Sequence, residues 1–270
     1  MYRGIFLANA GTYSDPRTVV ELAELAEQAG WEGLFIWDHL GFVWGQPAAD
    51  PWMTLAAVAA RTERLVLGTD ITPLPRRRPH VLAHQVATLD VFSGGRVVFG
   101  AGIGGVPKEF GAFGEEESAR IRAEMLDEGL EVVSRLWAGE EVRHHGRHYT
   151  VDGVRLQPAP LRGKIPIWIG GNSGAALRRA ARFDGWAADT FELQEMTLTP
   201  ADLAEKVAEL RVLRASDAPF DVVVFGYSEH GDDSLPAAYE AAGATWWLEY
   251  FHDKRGPLEL TRRRIESGPG

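Results

Sequence analysis

A chain of 270 residues with 45% apolar content can bury a sizeable core, either as two small domains or as one α/β barrel of ~250 residues. Its net charge of −10, with one short basic run, argues against nucleic acid or an anionic membrane as partner, and the lack of cysteine excludes disulfides and thiolate metal sites. No apolar run reaches the ~18 residues of a membrane span and no signal-peptide pattern opens the sequence, so a cytoplasmic protein is expected.

Residues 4–9 (G-I-F-L-A-N) read as a first buried strand. Asp15-Pro16 then supplies a cap and a first-turn proline for a helix, which Gly30 stops. Gly33–His39 (G-L-F-I-W-D-H) follows as the stretch around which the chain is organised: four apolar residues without alternation suit a strand buried on both faces. Asp38 and His39 arrive together at its carboxyl end, where parallel α/β folds bind ligands; a loop cap is the other reading.

Asp50-Pro51 repeats the helix-start signal, and strands at 65–71 and 96–102 flank a helix that ends at Ser93-Gly94-Gly95. A glycine-rich loop (102–114) leads to a long helix from Ser118 to Trp137. Asp152-Gly153 then reads as the turn of a β-hairpin within 142–156, an excursion from the main repeat. Further strands are expected at 165–171, 185–189, 221–226 and 244–250, with helices opening near Ser173, Thr199-Pro200, Pro236 and Pro257. Eight strand–helix repeats without a linker favour one domain over 1–270, a closed (β/α)8 TIM barrel with insertions, over an open doubly wound sheet.

Other candidate chemistry is weaker. Gly102, Gly104 and Gly105 suit close approach of backbone to a ligand, or ordinary turns. Gly170, Gly171, Asn172 and Ser173 lie between a buried strand and a helix start, where free N–H groups attract phosphate; an Asn/Ser-capped turn is the alternative. Arg76, Arg77 and Arg78, flanked by prolines, read as a solvated loop or an anion contact. His80 and His84 sit four apart on a helix, but no third ligand is tied to a strand end, and His144, His145 and His148 fall in the hairpin, expected to face solvent; no metal site is expected. Several of the nine tryptophans fall beside strand ends, where a flat ligand could stack.

Taken together, W-D-H (37–39), L-G-T-D-I-T-P-L-P-R-R-R-P (67–79), A-T-L-D-V-F-S-G-G-R-V-V-F-G-A-G-I-G-G (87–105), E-F-G-A-F-G (109–114), H-H-G-R-H-Y-T-V-D-G-V (144–154) and I-P-I-W-I-G-G (165–171) resemble the bacterial luciferase-like flavin-dependent monooxygenases and their deazaflavin-dependent relatives. The likeness is close over residues 1–190 and looser beyond. It implies a (β/α)8 barrel, usually dimeric, with the cofactor ring at the carboxyl face, and a cis peptide bond after strand three, here Asp70-Ile71, behind the ring. The family's glycine or small residue at that point is replaced here by Asp70.

The resemblance also suggests site roles. His39 is the expected catalytic acid or base, or a residue that orients the ring, with Asp38 and Glu109 as its catalytic companions. Asp38 is alternatively a cofactor contact or a cap, and Glu109 a solvated loop residue. Asn9 would bind the ring's polar edge or cap a turn; Trp44 would shield the substrate pocket or anchor a loop. The implied function is a flavin-dependent oxidoreductase or monooxygenase using reduced FMN, with a separate flavin reductase as a possible partner, on a small organic substrate. The alternatives are hydride transfer with the deazaflavin coenzyme F420, and a non-catalytic flavin-binding protein.

Overall fold

A computed structural model describes residues 1–192 and 195–270. Its eight parallel strands are β1 (Tyr2–Leu7), β2 (Gly33–Ile36), β3 (Val66–Thr69), β4 (Val97–Gly102), β5 (Ile167–Gly170), β6 (Gly185–Ala187), β7 (Asp221–Gly226) and β8 (Trp246–Phe251). β1 pairs with both β2 and β8, and β3 pairs with β4, so the sheet closes on itself into a (β/α)8 barrel. Thr72–Pro73 adds a short rung beside β4.

Alternation along the strands builds two cores. Phe6, Phe35, Val98 and Trp168 point into the barrel and pack with Trp246 and Leu248. Their neighbours Ile5, Leu34, Val97 and Ile167 point outward, against the helices. Phe6 lies opposite Phe35 in register, and the Phe35 ring stacks on Trp168 at 5.0 Å, so aromatic rings fill the barrel floor.

The helices start where their caps stand. α1 (Pro16–Gln28) and α2 (Pro51–Ala59) follow Asp15 and Asp50, whose carboxylates accept from Arg17 and Met53 backbone N–H. Then come α3 (Pro79–Ser93), α4 (Lys108–Gly111), α5 (Ala119–Trp137), α6 (Gly174–Ala180), α7 (Pro200–Leu213), α8 (Ser234–Ala241) and α9 (Leu258–Glu266). α4 is a helical turn inside the stretch read as loop, and it carries Glu109. Seven of the nine tryptophans are buried in the cores; Trp37 and Trp44 alone line a cavity described below.

Three readings need correction. The first strand ends at Leu7, which leaves Asn9 beyond it. The hairpin exists, but its turn is Gly146–Tyr149, between Val142–His145 and Thr150–Val154. Asp152-Gly153 lies within the returning strand beside the register shift, where Gly153 supplies the positive φ of +68° that a bulge uses. Nor do the hairpin histidines all face solvent: His144 bonds Glu128 of α5 at 2.9 Å and is 11% exposed. His80 and His84 are exposed on α3.

Candidate active site

The carboxyl ends of the strands converge on one buried ionic network. β2 delivers Asp38 and His39, the turn after β3 delivers Arg76 and Arg77, and α4 after β4 delivers Glu109. Glu109 accepts from Leu40 N–H at 2.7 Å and from Arg76 Nη1 at 2.5 Å, and both its oxygens lie 3.1–3.2 Å from His39 Nδ1. Arg76 Nη2 reaches across to Asp38 Oδ1 at 2.8 Å and to the Asp38 carbonyl at 2.6 Å. Arg77 grips the same carboxylate with Nε and Nη2, at 3.0 and 2.8 Å. Asp38 and Glu109 side chains are each 1% exposed and Arg76 is 6% exposed.

This overturns the surface reading of the basic run. Arg76 is a buried counter-ion and Arg77 a half-buried one, and only Arg78 is exposed. It also sets aside the alternative readings of two acids: Asp38 accepts from arginines rather than capping the chain, and Glu109 is not solvated. Burial works against charge on Glu109, but His39, the Leu40 N–H and Arg76 outweigh it and hold its carboxyl below the ordinary 4.5. A carboxylate is an acceptor, so His39 donates from Nδ1, and Nε2 is left as the atom for proton exchange. Trp44 and Trp37 meet the imidazole edge-on, at ring-centroid distances of 4.9 and 5.2 Å.

Asn9 does not present its amide to a ligand. Nδ2 donates to His39 and Ala49 carbonyls at 2.8 and 2.7 Å, and Oδ1 accepts from His39 N–H at 3.3 Å. Its role is to clamp the segment that carries His39. The loop bearing Glu109 is held in turn by Arg122 of α5, which donates to the carbonyls of Ile103, Gly104 and Glu117 and lies 4.3 Å from the Phe110 ring centre.

The glycines also serve the fold. The Asp70-Ile71 peptide is cis, as the resemblance implies. A Cβ on Gly102 would sit 1.9 Å from Ile71 Cδ1, and one on Gly170 would sit 3.1 Å from Ile71 side-chain atoms, so both make room for Ile71. Gly104, at φ +82°, packs under Phe110. Gly171 gives its N–H to Ala187 O, Asn172 clasps the Asp189 peptide through both amide atoms, and Ser173 Oγ caps Ala176 N–H. These bonds build a capped turn at 170–173.

A sharper case is Gly100, where a Cβ would fall 1.9 Å from the Thr69 backbone oxygen. Gly100→Ala should destabilise by about 3 kcal/mol or more, because backbone cannot yield. Gly102→Ala, which meets only a side-chain tip, should cost less. Thermal unfolding of the two variants checks the order, and equal losses would contradict it.

Beside the network, the ends of β1 and β8 enclose a cavity of about 390 Å³ walled by Trp37, Trp44 and Tyr250, with Gln46, His252 and Lys254 at its polar edge. His252 Nε2 is hydrogen-bonded to Tyr227 OH, from the end of β7. Burial, then Arg255 and Lys254, hold the imidazole below its ordinary 6.5; burial pushes the Tyr227 phenol up to about 12. Both are therefore neutral at pH 7. Arg255 bonds the Tyr250 carbonyl and pairs with buried Glu249 at 2.5 Å, which fixes this wall. Sequence reading missed these residues because it ended strand eight at 250, one residue short of Phe251 and two short of His252.

The model of the family described as luciferase-like monooxygenase matches residues 1–268. The chain belongs to that family. It is 38% identical over 173 residues to an F420-dependent glucose-6-phosphate dehydrogenase of Microbacterium testaceum, covering 62% of this chain and 50% of that protein. The chain thus matches only half the length of that relative. A Nocardia farcinica protein of the same description is 36% identical over 272 residues, 94% of this chain and 78% of its own length. Among solved structures, an F420-dependent secondary alcohol dehydrogenase with an F420–acetone adduct superposes over 98% of both chains with a TM-score of 0.79, at 18% identity, which speaks for a shared fold. Among the described residues no cluster of three or more His, Cys, Asp or Glu is placed to hold a metal, and no helix is long and apolar enough to cross a membrane.

Proposed function

We propose that this one-domain protein is an oxidoreductase that passes a hydride between the deazaflavin F420 and a small hydroxy or carbonyl compound. The His39–Glu109–Arg76 arrangement, with Glu109 and Arg76 buried and His39 partly open, carries the reading. Alcohol oxidation needs a base for the hydroxyl proton, and an imidazole whose Nδ1 is fixed on a carboxylate offers Nε2 for that task. The residues around the cis peptide suit a flat polar ring. Ile71 gives an apolar surface backed by Gly102 and Gly170, and beside it Asp70 Oδ2 is buried without a hydrogen-bond partner.

When bound, the deazaflavin supplies the hydride acceptor or donor. In the oxidative direction His39 Nε2 would take the substrate's hydroxyl proton. Glu109 stabilises the imidazolium so formed, and the Leu40 N–H and Arg76 join His39 in keeping Glu109 ionised. Trp37 and Trp44 exclude water, and the aromatic cavity with Gln46, His252 and Lys254 receives the substrate. The names of the curated relatives make F420 the first cofactor to test and glucose 6-phosphate the first substrate.

The family's description as monooxygenases supports a second reading, in which reduced FMN from a separate flavin reductase is used. A cytoplasmic homodimer is part of the same proposal, on the strength of the family resemblance alone. Fluorescence titration with F420 and with FMN separates the cofactors. F420 binding followed by its reduction on adding an alcohol or sugar phosphate is the expected result. Binding of FMN alone, or of neither, would overturn the F420 reading.

A further inference from the structure

Asp70 is unlike the acids around it. Asp38 and Glu109 meet guanidinium groups, whereas Asp70, on the next strand end, forms no salt bridge among the described residues. Its Oδ2 is sealed from solvent without a hydrogen-bond partner, while the residue as a whole is partly exposed. The titratable groups facing it are Asp189, from beyond β6, and behind that Tyr250 of β8, a phenol kept neutral by burial. Its own segment brings no charge, since Thr69, Ile71 and Thr72 flank it.

A carboxylate here would leave Oδ2 without a donor and would lack a cation while facing a second acid, and each condition disfavours its charge. Burial first and Asp189 second push Asp70 up to about 7. A protonated Asp70 resolves the geometry: Oδ2 becomes a carbonyl-type oxygen that tolerates a dry site, and Oδ1–H becomes a donor.

Resting on the F420 reading above, we propose that Asp70 is a proton-bearing contact of the cofactor ring. As a neutral acid it donates from Oδ1 to an acceptor on the pyrimidinedione edge shared by flavins and deazaflavins, and as a carboxylate it repels that edge. Affinity should therefore fall as Asp70 ionises.

The test compares wild type, Asp70→Asn and Asp189→Asn as full-length proteins, titrated with F420 and with FMN from about pH 5.5 to 8.5. Wild-type Kd for the ring cofactor it binds should rise about tenfold per pH unit above about 7. Asp70→Asn keeps a donor and cannot ionise, so its profile should be flat and close to the wild-type acid-side value. In Asp189→Asn the wild-type break should move to lower pH.

A second measurement needs no ligand. Between the ordinary aspartate value of 3.8 and about 7, the folded state holds a proton that the unfolded chain has released, so stability falls as pH rises through that window. The Tm advantage of Asp70→Asn over wild type should grow over the same range. A constant Tm difference, a flat wild-type Kd profile, or an Asp70→Asn profile that keeps the slope overturns the inference and leaves the F420 reading standing. Failure of wild type to bind either cofactor at any pH overturns both.

Discussion

Glu109→Gln should lower turnover by about 10²–10⁴-fold, the range spanned by general acid–base contributions, while cofactor binding changes little. The variant is nearly isosteric, so the effect isolates charge. Glutamine's carbonyl can still accept from Leu40 N–H, but its amide nitrogen must then meet His39 Nδ1 or Arg76, both donors. His39 loses the anion that fixes its tautomer and stabilises its protonated form. The defect should appear in kcat as well as kcat/KM, because that stabilisation is needed only when the proton has moved.

Stability supplies an independent check. A carboxyl held below its ordinary value contributes stability that is fully present above 4.5 and is lost as pH falls through its depressed folded value. Wild type should therefore show an acid-side loss of Tm that Glu109→Gln lacks. Turnover within threefold of wild type would mean that His39 acts without Glu109, and would remove the main support for a proton-transfer role.

The barrel was legible because its signals are local. Asp15-Pro16, Asp50-Pro51 and Thr199-Pro200 mark helix starts through caps that depend on residues within one turn, and all three open helices. The Gly33–Ile36 run announced a strand buried on both faces. The site was less legible, because its chemistry depends on pairings across long separations. His39 and Glu109 are 70 positions apart, and Arg76 is 38 from Asp38.

Nothing local separates a buried arginine from a solvated one, so a basic run between prolines reads as surface until its acids are located. Glycines misled in a related way. Gly102 and Gly170 do permit close approach, but what approaches is Ile71 of the same chain. Asp152-Gly153 carries hairpin-turn chemistry, yet the ladder uses it at a bulge.

Arg76→Met should be the most destabilising change in the network, by about 3–5 kcal/mol, the range found when one partner of a buried ion pair is removed. The two acids it joins would not suffer equally. Asp38 keeps the two-point grip of Arg77, so its charge remains compensated. Glu109 would keep only His39 and the Leu40 N–H, while the burial that already works against its charge persists. Its carboxyl should therefore rise, and the acid limb of the activity profile should move to higher pH along with it.

Coupling decides whether Arg76 acts through Glu109. If it does, Arg76→Met combined with Glu109→Gln should destabilise by less than the sum of the single changes, since the neutral amide no longer requires a counter-ion. Arg76→Lys, which cannot span Asp38 and Glu109 with a planar fork, should fall between wild type and Arg76→Met. Urea unfolding of the four proteins gives the cycle. A loss below about 1 kcal/mol for Arg76→Met would place the pair among the weak exposed ones, and strict additivity would show that Arg76 supports the fold without setting the state of Glu109.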